Sequence, residues 1–197
     1  MKKIIFSLLL TIISFSITHA NIDADVSVST YYQGNLPFIE VDLHIVGSTL
    51  EEKVTAPNQI ETRVNVLITI LKDSSIVDFK KYGIVSPTAK RATDFIDLQR
   101  FALSEGKYTV RTLITDQLNN ANKVEFEDQI EINSLGAEPI LTDLKLLHKV
   151  TPSEDLNNPF YKYGNILEPA AFQFYHVAMS KLYVFSELYN TDRILQE

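Results

Sequence analysis

Apolar and polar residues alternate with period two in seven separate segments between residues 23 and 132, and this repetition limits the folds open to the chain. The clearest segment is FIEVDLHIV from Phe38, where Ile39, Val41, Leu43 and Ile45 fall on one side and Glu40, Asp42 and His44 on the other. Successive side chains of a strand point to opposite faces, so such a run describes a strand with one face on a core. RVNVLITILK from Arg63 adds apolar residues at Leu67 and Leu71 to the set Val64, Val66, Ile68 and Ile70, as a more deeply buried central strand does. Weaker alternation marks residues 23–32, with Val26 and Val28 on one face, and residues 76–82, 95–103 and 123–132. Gly47 to Gln59 is polar and reads as a loop. Turn-forming residues separate the strands, among them Asp73-Ser74-Ser75 and the Asn-rich 116–122.

The seventh segment, LSEGKYTVRTLITD over residues 103–116, organises the others. Leu103, Gly106 and Tyr108 have the spacing of a corner between the two sheets of a sandwich. Tyr108 opens a late strand and returns its hydroxyl to upstream backbone, while Gly106 takes a turn conformation that a side chain resists. Seven strands, turn signals between them and no clear helix predict an all-β fold. The expected form is an Ig-like or fibronectin-III-like antiparallel β-sandwich over residues 21–135. Glu125, Glu127 and Asp128 would guard its last edge, and the carboxylates alternating along the strands read as solvated faces.

The ends of the chain have a different character. Lys2 and Lys3, an apolar run to Ile17 and Thr18-His19-Ala20 form a secretory leader with cleavage expected after Ala20. The run is shorter than the roughly 20 apolar residues of a membrane span. An exported protein, in the periplasm or on the outer surface of a Gram-negative cell, is therefore expected, with no membrane span after cleavage. Of 18 basic and 25 acidic residues the leader carries two lysines and no acid, so the remainder has 16 against 25, a formal charge of −9. That balance argues against nucleic acid as a partner. There is no cysteine, so disulfides, thiolate metal sites and cysteine nucleophiles are excluded. Residues 136–197 read as a partial second β-rich domain or docking tail with about two strands, one of them starting near Lys181. Helical spacing of Ala171, Phe174, Tyr175, Ala178 and Leu182 is the competing reading of its end. So short a unit suggests that the sequence is a fragment.

LPFIEVDLHIVG, DFIDLQRFALSEGKYTVRTLITD, ILTDLKLL, NPFYKYGN and LYVFSELYNTD, in that order, resemble the N-terminal part of the GWxTD-domain-containing proteins of Bacteroidota. The resemblance implies an exported protein with a β-sandwich first and more β-structure after it. The Gly-Trp-x-Thr-Asp motif itself is absent, as is any Trp. The family supplies no settled activity and no site residues.

Motifs for nucleotide, phosphate, zinc-protease or serine-hydrolase chemistry are missing, so no catalytic residue, cofactor or metal is expected. His44, His148 and His176 have no partner at metal-ligand spacing. Asp23, Asp25 and Asp116 could contribute oxygen ligands, but no closing Glu or sharp-turn Gly completes a calcium loop, and turn chemistry explains them better. Aromatic residues supply the binding-like feature: Tyr31 with Tyr32, then Phe160, Tyr161 and Tyr163, then Phe172, Phe174 and Tyr175. Such loops anchor protein partners or stack on sugars. The expected role is a structural or interaction module of the cell envelope. The alternative is an accessory glycan-binding sandwich of an envelope hydrolase.

Overall fold

The computed structural model describes residues 21–170, 172, 175 and 181–191. The leader expected over residues 1–20, and Ala171, Phe174, His176 and Ala178, lie outside the described residues. The fold is an all-β sandwich of antiparallel sheets. Strands β1 (Ala24–Gln33), β2 (Leu36–Ile45), β3 (Lys53–Ala56), β4 (Gln59–Glu61), β5 (Arg63–Lys72), β6 (Ser75–Val85), β7 (Phe95–Ala102), β8 (Gly106–Asp116) and β9 (Lys123–Ile132) come first. One sheet has the order β1-β2-β7 and the facing sheet the order β6-β5-β8-β9, with β3 and β4 as a separate hairpin.

The alternation locates the core. Ile39, Val41, Leu43 and Ile45 of β2 face Val64, Val66, Ile68 and Ile70 of β5 and Val110 and Ile114 of β8 across the sandwich, all essentially inaccessible to water. Leu103 and Tyr108 join this core, and the Tyr108 hydroxyl donates to the carbonyl of Ser104 at 3.0 Å. Gly106 between them has φ of +146°, where a side chain is strained. Asp116, wholly buried, accepts the N–H groups of Leu118 and Asn119 on one carboxylate oxygen and that of Glu51 on the other. It fastens two loops together.

Residues 47–59 are not the plain loop expected from their polarity, since they hold a short 3-10 turn (Gly47–Thr49), β3 and the start of the hairpin. The tail departs further from expectation. In place of about two strands it forms six short ones: β10 (Ile140–Leu141), β11 (Lys145–Pro152), β12 (Tyr161–Lys162), β13 (Asn165–Pro169), β14 (Tyr183–Phe185) and β15 (Leu188–Tyr189). Four make a sheet of order β12-β13-β11-β14, and β10 pairs with β15. Among the described residues no helix is long and apolar enough to cross a membrane.

The tail lies along the three-stranded sheet. It caps the last residues of the free edge of β1: Asp143 accepts the Thr30 N–H at 2.9 Å, and the Tyr189 hydroxyl accepts the Tyr32 N–H while donating to its carbonyl. This end of the backbone edge, which would otherwise stay open to pairing, is thus satisfied by side chains from more than 100 residues away.

Candidate functional site

Pairing register places Ser27, Ser29, Tyr31, Phe38, Glu40, Asp42, Leu98 and Arg100 on the outer face of the β1-β2-β7 sheet, opposite the sandwich core. The sequence pattern assigns Glu40 and Asp42 to a solvated face. The structure corrects this: Glu40 is 1% exposed and Asp42 3%, because the tail sheet covers them. Lys145, from β11, brings its ammonium between the two carboxylates, 2.7 Å from Glu40 Oε2 and 2.6 Å from Asp42 Oδ2. Arg100 Nε donates to Glu40 Oε1 at 2.9 Å, and Lys162 of β12 lies 3.3 Å from the same oxygen and 3.2 Å from Glu187. Three cations therefore meet three carboxylates, and the cluster is neutral as a whole.

Burial determines how each group behaves. Desolvation alone would raise the Glu40 pKa, but Lys145, Lys162 and Arg100 outweigh it and hold the carboxyl below its ordinary range. Asp42 has Lys145 as its partner, and there burial wins, so its carboxyl is pushed up. Tyr31 is fully buried beneath the cluster, and burial, followed by the neighbouring Glu40 charge, drives its phenol strongly upward. The Lys162 ammonium sits 3.6 Å from the centre of the Tyr31 ring, with Phe185 at 5.0 Å and Phe38 at 5.9 Å. An ammonium enclosed by three aromatic faces gains cation–π attraction that replaces part of its lost hydration.

The interior of the cluster, around Glu40 and Lys145, is closed to substrates. The void between Glu40, Lys145, Phe160, Lys162 and Phe185 is about 10 Å³, enough for one water at most. The network's chemistry is mutual neutralisation, and its effect is to hold the tail sheet in one position on the sandwich.

An open cleft of about 680 Å³ adjoins this seam. Its walls are Tyr32, Leu36 and Phe38 from the β1–β2 hairpin and Tyr161 and Tyr163 from β12 and the turn after it, with Arg100 and Lys162 between them. Tyr163 is 75% exposed and stands at φ of +49°, a left-handed conformation that disfavours a bulky side chain. Its phenol pKa is raised, first by partial burial and then by Glu187. Strained backbone of this kind recurs at binding sites, where surrounding structure holds it in place.

The aromatic candidates thus part company. Tyr161 and Tyr163 line the cleft, whereas Phe160 is 9% exposed and turned into the seam, so it is a packing residue and not a surface anchor. Tyr31 is likewise interior. The Tyr175 hydroxyl lies 2.6 Å from the Leu147 carbonyl and 2.9 Å from that of Tyr183, its one hydrogen shared between them, and so ties two strands of the tail's own sheet. His44 lines a second open cavity, of about 780 Å³, 3.9 Å from Asp94 and edge-on to Phe172, with the exposed His148 elsewhere on its wall. Among the described residues no three His, Asp or Glu side chains are placed to hold a metal ion. Asp23 and Asp25 do not converge on such a group, and Asp25 accepts the backbone N–H of Phe172.

Glu40, Asp42, Arg100, Lys145 and Lys162 escaped the reading of the sequence. One signal was present: Lys145 interrupts the leucine-rich run LTDLKLL, an unusual place for a lysine unless it meets a buried acid. Comparison of the chain with protein-family models, curated proteins and solved structures gives no match in any of the three.

Proposed function

We propose that this chain is an exported, non-catalytic β-sandwich module that engages a protein partner in the cell envelope through the aromatic cleft at its seam. The observation that carries the reading is Tyr163, a largely exposed aromatic held in a strained turn at the mouth of a cleft built from two different hairpins. Exposed Tyr beside Arg is the composition of protein-binding hot spots. The leader of residues 1–20 supports export, and the order of segments shared with the GWxTD-domain-containing proteins supports membership of that envelope family.

Glycan binding is the second reading, favoured by the several tyrosine rings lining one open cleft. The test compares the protein with a Tyr161→Ala/Tyr163→Ala double variant in chemical cross-linking to envelope extract, and on a glycan array. A discrete protein cross-linked to the first and lost from the second, with no glycan signal, is the expected result. Equal cross-linking by both proteins overturns the reading. A glycan signal lost in the double variant transfers the cleft to the sugar-binding alternative.

A further inference from the structure

Three of the four sheet edges in the sandwich are guarded. Asp143 and Tyr189 occupy the edge of β1, and Lys80 Nζ takes the Arg100 carbonyl on β7 at 3.0 Å. β9 presents alternating exposed Glu125, Glu127 and Glu131. β6 is different. It is an eleven-residue edge strand whose outward side chains include Phe79, 62% exposed, and Val85, 47% exposed, with Ile76 and Val77 at a bulge near its start. A long edge with exposed apolar side chains is a template for another strand.

The direction of its free backbone groups can be read from two hydrogen bonds. Ser86, just past the strand, sends its N–H inward to Thr62. Phe79 does not: its N–H meets the carboxylate of its own neighbour Asp78 at 2.7 Å. Alternation then turns the N–H and carbonyl groups of residues 79, 81, 83 and 85 toward the open edge.

We propose that β6 pairs antiparallel with β6 of a second copy of this chain, about a two-fold axis at Tyr82. In that register Phe79 lies opposite Val85 of the second copy, and Val85 opposite its Phe79, giving two apolar cross-strand pairs. Lys81 lies opposite Gly83, which sets no like charge against it. The ladder uses residues 78–86, where β6 is free of its bulge. Neighbouring two-folds are worse. An axis at Lys80 or Lys81 sets like charges face to face, one at Phe79 brings the bulge residue Val77 into the ladder, and one at Gly83 places Pro87, which has no N–H, against Phe79. The sequence of β6 is thus complementary to itself in one register. Asp78 yields the Phe79 N–H when the second strand arrives.

The chain has no cysteine, so introduced thiols report the register cleanly. Phe79→Cys and Val85→Cys variants are purified separately and oxidised alone and as an equal mixture. Opposed Cα atoms of a hydrogen-bonded pair are about 5.5 Å apart, within disulfide range. Two copies of residue 79 stand six positions apart, about 20 Å. The expected result is a disulfide-linked dimer in the mixture and little in either variant alone. Light scattering on the unmodified protein at about 100 μM should give twice the chain mass, and Phe79→Lys should return it to the single mass. A monomer at that concentration, a Phe79→Cys variant that links to itself as readily as the mixture, or a dimer whose mixture does not link overturns the proposal.

Discussion

Replacing Lys145 by Met removes an ammonium while keeping most of the side-chain volume, and the seam sets the size of the effect. Glu40 keeps Arg100 at 2.9 Å and Lys162 at 3.3 Å, so its charge stays compensated. Asp42 loses its partner and is 3% exposed. A buried unpaired carboxylate is so costly that it takes up a proton instead. From an ordinary Asp value near 3.9, holding that proton at pH 7 costs about 4 kcal/mol, at 1.36 kcal/mol per pH unit. This is a ceiling, because burial already raises the Asp42 pKa in the unaltered protein. At pH 5 the ceiling is about 1.5 kcal/mol by the same arithmetic. The sign follows from linkage: the variant's folded state binds a proton that its unfolded state lacks, so its stability falls as pH rises above the unfolded value. Urea unfolding of both proteins at pH 5, 6 and 7 measures the difference. The expected deficit grows with pH and stays under about 4 kcal/mol at pH 7. A deficit that is the same at all three pH values would show that Asp42 is not the group left stranded, and no deficit at pH 7 would refute the ion-locked seam.

Two further substitutions separate the parts of the structure. Asp42→Asn and Glu40→Gln are nearly isosteric yet should differ sharply. The first removes a carboxylate that burial already disfavours and should change stability by under about 1 kcal/mol, whereas the second removes the carboxylate on which three cations converge, leaving Arg100 without an acid, and should cost about 3–5 kcal/mol in denaturant unfolding at pH 7.5. Equal losses would contradict the opposite pKa directions of the two acids. Tyr108→Phe should cost on the order of 1 kcal/mol through its lost bond to the Ser104 carbonyl, and an unchanged unfolding midpoint would deny that corner any role.

The sandwich was legible because its long strands offer enough positions for a period to show. In β2, β5 and β8, of ten or eleven residues, the inward set is mostly apolar, although Thr112 and Asp116 of β8 are buried on it too. The β3–β4 hairpin was hidden because its strands have four and three residues and side chains that are mostly exposed and polar, leaving no apolar rhythm. Three of the six tail strands are shorter still, at two residues each, and β11 carries a bulge that shifts its alternation. Glu40 and Asp42 illustrate a different limit. Period two tells which side of a strand a residue occupies, but not what covers that side. Here the cover is Lys145, 105 residues from Glu40, and no local pattern can report it. The cleft depends on the same long-range closure, since Leu36 and Tyr163 meet across it only after the tail has docked.

The seam and the cleft share residues, and this decides which variants can speak about function. Arg100 and Lys162 line the cleft, yet both also neutralise Glu40. Replacing either would weaken recognition and the seam together, and a loss of binding would carry no information about contact. Tyr161 and Tyr163 form no ion pair with the cluster and reach it only at its rim, through the tilted contact of Tyr163 with Phe185, ring centres 6.3 Å apart, and the proximity of its phenol to Glu187. Their truncation removes exposed aromatic area while Lys145, Arg100 and Lys162 keep their carboxylates. The β6 edge belongs to the other sheet, across the hydrophobic core from the seam. Phe79 and Val85 can therefore be changed without touching any cleft residue. Sites more than about 10 Å apart with no shared partner behave additively. A Phe79→Lys protein that becomes monomeric and still recognises its partner would place assembly and recognition on two independent faces of one β-module. If monomer formation also abolished recognition, the partner would have to contact both copies at once.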